Sequence, residues 1–248
     1  MKKRDQRGDT PSLDTNDELN VKEIGHPFRF EKYSKETELT ELIVEAVNRM
    51  GGSGELAEEN YRLCVDKLCR KSKLTSQIIQ AEYFDLAEDA YLDRWGLTML
   101  AVELQDQNGL AFFDKILAAE IPEEKSKNPH SFTSVGEEVM IRTTAIEGLE
   151  RLAADGNDDA IEVLLGNISH EVFSVRRAAT QALIAVGGEN IIEKLQSKLP
   201  KRHHNLLKIK RTDVRNAEQA QGGLFLLNQD DSDIPAPKSD SSVKHCQD

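Results

Sequence analysis

No run of about 18 apolar residues occurs anywhere in this chain, so a membrane-spanning helix is not expected. The opening MKKRDQRGDTPSLDTNDELN carries positive charge with no apolar segment behind it, which is not a secretory leader. The expectation is therefore a soluble, cytoplasmic protein, in which the sequon at Asn167 is accidental. Cysteine is scarce: Cys64, Cys69 and Cys246 form an odd set. The first two are five residues apart, about 140° around a helix, and suit neither a metal pair nor a disulfide framework. The sequence predicts a buried Cys64, a less committed Cys69 and an exposed tail thiol.

Catalytic signatures are missing as well. There is no phosphate-binding GxxxxGK[ST], no GxGxxG after a strand, no HExxH and no CxxC. The GGSGE at Gly51 to Glu55 has Glu55 where a nucleophile elbow needs glycine, and it fits a turn between helices instead. Six histidines are scattered, and the adjacent His203 and His204 point about 100° apart on a helix among basic neighbours, so no metal site is expected. Acidic pairs such as Glu123 with Glu124 or Asp158 with Asp159 read as solvated surface. No cofactor is expected, and a small-molecule ligand is disfavoured.

What the chain does have is acidity, with 44 acidic against 32 basic residues and a net charge of −12. That balance disfavours nucleic acid and anionic membranes as partners of the whole chain and favours basic or neutral ones. It also has helical periodicity almost throughout, without the alternating β-branched runs of strands. Leu39, Leu42, Ile43, Ala46, Val47 and Met50 share one helical stripe, stopped by Gly51 and Gly52, with Ser34 or Thr37 as the expected cap. Ser53 is placed to cap a second helix bearing Leu56, Ala57, Tyr61, Cys64, Val65 and Leu68, which pairs antiparallel with the first. From Ile78 to Leu104 one or two helices are expected, with no legible break. The segments 1–32 and 217–248 are too poor in large apolar residues to order themselves, and are expected to be a disordered N-terminal segment and a disordered acidic tail.

The chain also resembles itself. VMIRTTAIEGLERL aligns with FSVRRAATQALIAV at a shift of 34, placing Arg142 on Arg176, Ala145 on Ala179 and Leu149 on Leu183. The match resumes at a shift of 31, with Ile161, Leu164 and Ile168 on Ile192, Leu195 and Leu199. A fainter copy begins near Arg94. Recurrence at this period, with two amphipathic helices per copy, suits a helical solenoid, because one hairpin cannot bury its apolar face alone. Ala178, Ala179, Ala182 and Ala185 would allow close helix approach.

On the residues Val175, Arg176, Ala178, Ala179, Ala182, Leu183 and Gly187, the segment ISHEVFSVRRAATQALIAVGG resembles a short HEAT repeat of the type found in phycobilisome lyases and bacterial scaffold proteins. Ile141, Arg142, Ala145, Leu149 and Leu152 carry the same resemblance one copy earlier. It implies an all-α fold over 33–216: a right-handed helical-hairpin solenoid, an armadillo-type superhelix of about four to five repeats. His170 and Glu171 stand where that pattern usually has Asp then Pro at the turn within the repeat. Between copies, Pro122 to Glu138 makes one turn 13 residues longer than its counterpart and is expected to project as a loop.

The repeated arginines Arg94, Arg142 and Arg176 have two readings: structural ligands of turn carbonyls or carboxylates, or the lining of a groove for an acidic ligand. Arg177, Thr180, Gln181, Glu147 and Arg151 are expected to face outward toward a partner, and Trp95 to face the core. The segment from Lys198 to Arg215, including Lys201, Arg202, Lys208, Lys210 and Arg211, carries a net +6 and leaves −18 on the rest. It is a capping helix for an acidic body or a contact for nucleic acid or anionic lipid. Leu224 to Leu227 form an apolar island, either packed back or used for docking. The leading functional expectation is a non-enzymatic adaptor binding a protein partner on a concave face. The resemblance implies, as an alternative, a lyase or lyase-like chaperone acting on a protein-bound chromophore or modified side chain. Nucleic-acid binding through the basic segment is a third reading.

Overall fold

The computed structural model describes residues 25–52, 55–125 and 133–208. These are all helical or irregular, with no strand among the described residues. In chain order the helices are α1 (Thr37–Met50), α2 (Glu55–Cys69), α3 (Ser72–Asp85), α4 (Tyr91–Leu104), α5 (Gly109–Ala118), α6 (Ser134–Ala154), α7 (Asp158–Asn167), α8 (Phe173–Val186) and α9 (Gly188–Lys198). Short 3-10 helices span Glu31–Tyr33 and Lys201–Lys208. Lys210, Arg211, Cys246 and the Leu224 to Leu227 island lie outside the described residues, as does Ser53.

In α1 the expected stripe is the buried one: Leu39, Ile43, Ala46 and Val47. Its cap differs, because Glu36 precedes the first turn and no side chain caps it. α1 packs on α2 and also on α4. The break in the stretch from Ile78 to Leu104 falls after Asp85, where Leu86 leaves α3 in an extended conformation, and α4 restarts at Tyr91. From α4 onward the main packing runs between alternate helices, α4 on α6 and α6 on α8, with α5 and α7 both on α6, α7 also on α8, α5 more thinly on α7, and α9 on α8. α6 touches α4, α5, α7 and α8 and is the hub of the core. Its 21 residues end in a Schellman motif. There Gly156 turns at φ 89, its N–H bonding the Ala153 carbonyl at 3.0 Å and the Asn157 N–H bonding the Leu152 carbonyl at 3.0 Å. The Asn157 side chain then caps α7, accepting from the Ala160 N–H at 3.0 Å.

Two sequence expectations are corrected here. Residues 25–32 are packed rather than disordered: Phe30 is buried, and the buried carboxylate of Glu82 accepts the N–H groups of Arg29 at 2.7 Å and Phe30 at 2.8 Å. Those bonds span more than fifty positions, so local composition carries no trace of them. The second correction concerns the insertion. Its last five residues, Ser134 to Glu138, are the opening of α6 rather than loop, with Thr133 capping by accepting the Gly136 N–H at 2.9 Å. That extension buries Glu138 inside the fold. The alanines of α8 also divide: Ala179 and Ala182 are buried, whereas Ala185 is exposed.

Candidate functional site

The three register arginines do one job at three successive corners. Arg94, near the start of α4, donates to the Glu88 carbonyl at 2.8 Å, just past α3. Arg142 donates to the carbonyls of Ala119 at 2.9 Å and Glu120 at 3.0 Å, just past α5. Arg176 donates to the carbonyls of His170 and Glu171, just past α7. Each guanidinium thus satisfies carbonyls left free where one helix ends and the next begins.

Glu138 joins two of them. Its carboxylate, 3% exposed, accepts from Arg94 through one oxygen and from Arg142, 1% exposed, through the other. The Tyr83 hydroxyl accepts a further bond from Arg94 at 2.9 Å. Burial opposes the charge on Arg94, but its bonds to Glu138 and Tyr83 more than offset this and raise its pKa. A second link ties the other ends of the same helices, where Arg151 of α6 donates to Glu103 of α4 at 3.1 Å and to Glu147 at 2.9 Å. Burial again opposes the charge, and the two carboxylates again raise the pKa. Start paired with start and end with end, α4 and α6 lie parallel. Glu138 was missed in the sequence because it sat in a presumed loop. The available signal was its place four residues before Arg142, the spacing of a helical ion pair.

Of the five residues expected to face a partner, only Arg177 is exposed. Thr180 is fully buried, its hydroxyl donating to the Arg176 carbonyl at 2.8 Å. Gln181 is buried too, its amide donating to the Leu206 carbonyl at 2.9 Å. Both expectations of an outward position are corrected: Thr180 turns back on its own helix, and Gln181 meets the chain after α9, which folds back as the 3-10 helix with Leu206 buried. Glu147 and Arg151 are half-buried and belong to the α4–α6 link. Trp95 is half-buried against the core, Cys64 is buried and Cys69 exposed.

Of the basic segment, Lys201, Arg202 and Lys208 are exposed on the 3-10 helix. His204 donates to the Leu199 carbonyl at 3.0 Å, and Arg202 donates to His203 at 3.2 Å, so the two histidines serve different partners. Among the described residues no group of three His, Cys, Asp or Glu is arranged to hold a metal ion, and no helix is long and apolar enough to cross a membrane.

An open cleft of about 900 Å³ lies between α1 and the N-terminal segment, lined by His26, Phe28, Phe30, Val44, Glu45 and Arg49. Of these residues with the chemistry of a base, Glu45 is paired with Arg49 at 2.7 Å and His26 has both nitrogens engaged. Nδ1 lies 2.6 Å from Asp93 and Nε2 2.9 Å from Asn48, with the ring stacked on Phe28 at 4.8 Å. The arrangement fastens the segment to α1 and α4 and leaves no free nitrogen for proton transfer.

His170 braces the turn that leads into α8. Its Nδ1 accepts the Val172 N–H at 3.0 Å, and burial together with the charge of Arg142 holds the imidazole below its ordinary pKa. With a folded pKa below the unfolded one, the neutral ring stabilises the fold above about pH 6.5, and that contribution fades as pH falls. Replacing His170 with Asn keeps an acceptor for Val172 and removes the titration. The stability difference between wild type and variant, from urea midpoints, is expected to move against wild type from about pH 7 to about pH 5. A difference flat across that range refutes the role.

No family model matches the chain, and neither does any curated protein or solved structure.

Proposed function

We propose that this protein is a non-enzymatic adaptor in which α4 to α9 form an array of HEAT-like hairpins and the side formed by α4, α6 and α8 binds a partner protein. The observation that carries this reading is the arginine repeated at three corners, each in the same structural role. Identical corners favour one hairpin unit used repeatedly, and stacked hairpins present extended surfaces suited to protein recognition. Exposed apolar side chains support it further. Leu92 near the start of α4 is 61% exposed, Met140 in α6 42% and Phe173 at the start of α8 48%. Counted from the register arginine, they stand two, two and three residues before it. Unburied large apolar groups recurring at one level of successive helices are what a partner would cover.

Affinity capture on the full chain, followed by recapture with a Leu92→Ser, Met140→Ser variant, tests the proposal. A specific protein retained by wild type and lost by the variant, with the melting temperature unchanged, is the expected result. A strictly monomeric chain that retains no protein contradicts it.

A further inference from the structure

The segment before α1 alternates in burial residue by residue. Gly25, Pro27 and Arg29 are exposed, His26 and Phe28 are half-buried and Phe30 is buried, with no helix before Glu31. That is the period of an extended chain, in which every second side chain points the same way. Pro27 favours the extended backbone at His26 before it. The inward three touch in sequence: the His26 ring stacks on Phe28 with 4.8 Å between centres, and the Phe28 ring lies 5.6 Å from that of Phe30. All three line the cleft of about 900 Å³, opposite Val44 and Asn48 of α1, whereas Pro27 and Arg29 do not. The direction of the segment is fixed at both ends. His26 bonds Asn48, near the end of α1, at 2.9 Å, and the chain after Phe30 leads to the first residue of α1, Thr37. It therefore runs back alongside α1 from end to start. Gly25, where the described chain begins, lines the cleft as well, together with Gly51, Gly52 and Ala57 just past α1. That end stands open: a Cβ built on Gly25 or on Gly51 would meet nothing within 4 Å among the described residues.

We propose that the open end of this cleft is a docking groove for the chain's own residues 21–24, VKEI, with Ile24 as the anchor over Gly51, Gly52 and Ala57. The proposal goes beyond the adaptor reading and does not depend on it. Connectivity selects the occupant. Counting back by twos from Phe30, Phe28 and His26 reaches Ile24, so the stripe that already faces the cleft continues with an apolar side chain. The antiparallel run alongside α1 carries that residue past Asn48, toward the two glycines. Lys22 comes next on the same side, and the start of α2 beyond the glycines offers exposed Glu58 and Glu59. A segment tethered at the rim also meets the groove at an effective concentration on the order of millimolar, which favours it over an equally matched free ligand. The groove is then closed by the chain that forms its wall.

Photocrosslinking on the full chain tests this, with p-benzoylphenylalanine in exchange for Glu23 and the products digested with trypsin. The expected product is an intrachain link to the peptide from Met50 to Arg62, which holds both glycines and Ala57. Ile24→Ser in the same chain should cut its yield about tenfold, the order expected for losing a buried isoleucine side chain. Lys22→Glu should cut it about threefold, as for a surface ion pair. Circular dichroism matching wild type shows that both variants are folded. No link to that peptide, or a yield untouched by Ile24→Ser, overturns the proposal. A link between two chains does so too, since the occupant is then the segment of a second copy. The dye 1-anilinonaphthalene-8-sulfonate gives an independent readout: it should brighten with the Ile24→Ser variant more than with wild type. Equal brightening shows a cleft that stands open to small apolar molecules, and also overturns the proposal. Every readout lies at the cleft, so failure here leaves the Leu92 and Met140 capture result standing.

Discussion

Replacing Arg142 with leucine should lower stability by about 3–5 kcal/mol and the melting temperature by about 10 °C. At 1% exposure Arg142 is the most enclosed charged side chain among the described residues. Its removal leaves the Ala119 and Glu120 carbonyls without a donor and Glu138 with Arg94 alone. Ala119 and Glu120 are exposed residues whose carbonyls can turn to water, so the cost falls mainly on Glu138, a buried carboxylate cut from two cationic partners to one, and on the space the guanidinium vacates. Leucine recovers part of this through its apolar surface, so the estimate is not the sum of those terms. Arg142→Lys should lie between, since an ammonium keeps the charge but cannot reach a carboxylate and two carbonyls in one planar fork. Thermal melts of the three proteins check the order. A leucine variant that melts with wild type removes the corner role of the arginine.

The second large effect is expected at Gly148, where α6 passes α5. A Cβ built on Gly148 would stand 2.4 Å from Cζ of Phe113, and the neighbouring ring carbons are nearly as close. Phe113 is 1% exposed and its ring is held 5.6 Å from that of Phe112, so it has nowhere to turn. Two effects compete at this position. Alanine in a helix interior gains about 1 kcal/mol over glycine, whereas overpacking a closed core costs about 1–3 kcal/mol. Gly148→Leu adds a whole side chain to the same clash and should cost about 3 kcal/mol. Phe113→Leu in that background should return part of the loss, because the shorter side chain vacates the contact. Urea melts of the single and double variants measure the coupling, and simple additivity would show that the two residues do not compete for space.

Much of this architecture is written locally. α1 and the Cys64, Val65 and Leu68 stripe of α2 follow from amphipathic spacing, although Leu56 at the start of α2 is exposed, and Arg142 and Arg176 were recognisable as equivalents from a shift of 34. What was illegible involves contacts between distant parts of the chain. LAEDA, Leu86 to Ala90, contains neither Gly nor Pro and favours helix, yet the chain breaks there, where the Arg94 guanidinium takes up the Glu88 carbonyl. His26 meets Asp93 across 67 positions and has no signature at short spacing. Thr180 and Gln181 read as outward because the α8 stripe accounts for only one side. Gln181 in fact meets the Leu206 carbonyl of a basic 3-10 segment whose composition suggests solvent, with Leu206 as its buried exception. The arginine cluster was half visible: the equivalence of Arg142 and Arg176 is legible in the repeat, while Glu138 between Arg94 and Arg142 required the longer α6.

The central claim is that the arginine corners and the Arg94, Glu138, Arg142 cluster join α4 and α6 into one cooperative unit on which the proposed binding surface rests. Native-state hydrogen exchange, followed by mass spectrometry along a series of low denaturant concentrations, measures this directly. The account predicts that the slow amides of α4 and α6 merge into a single opening reaction in wild type, and separate when Glu138 is replaced by Gln, with α4 opening first. Separate openings of α4 and α6 already in wild type would contradict it.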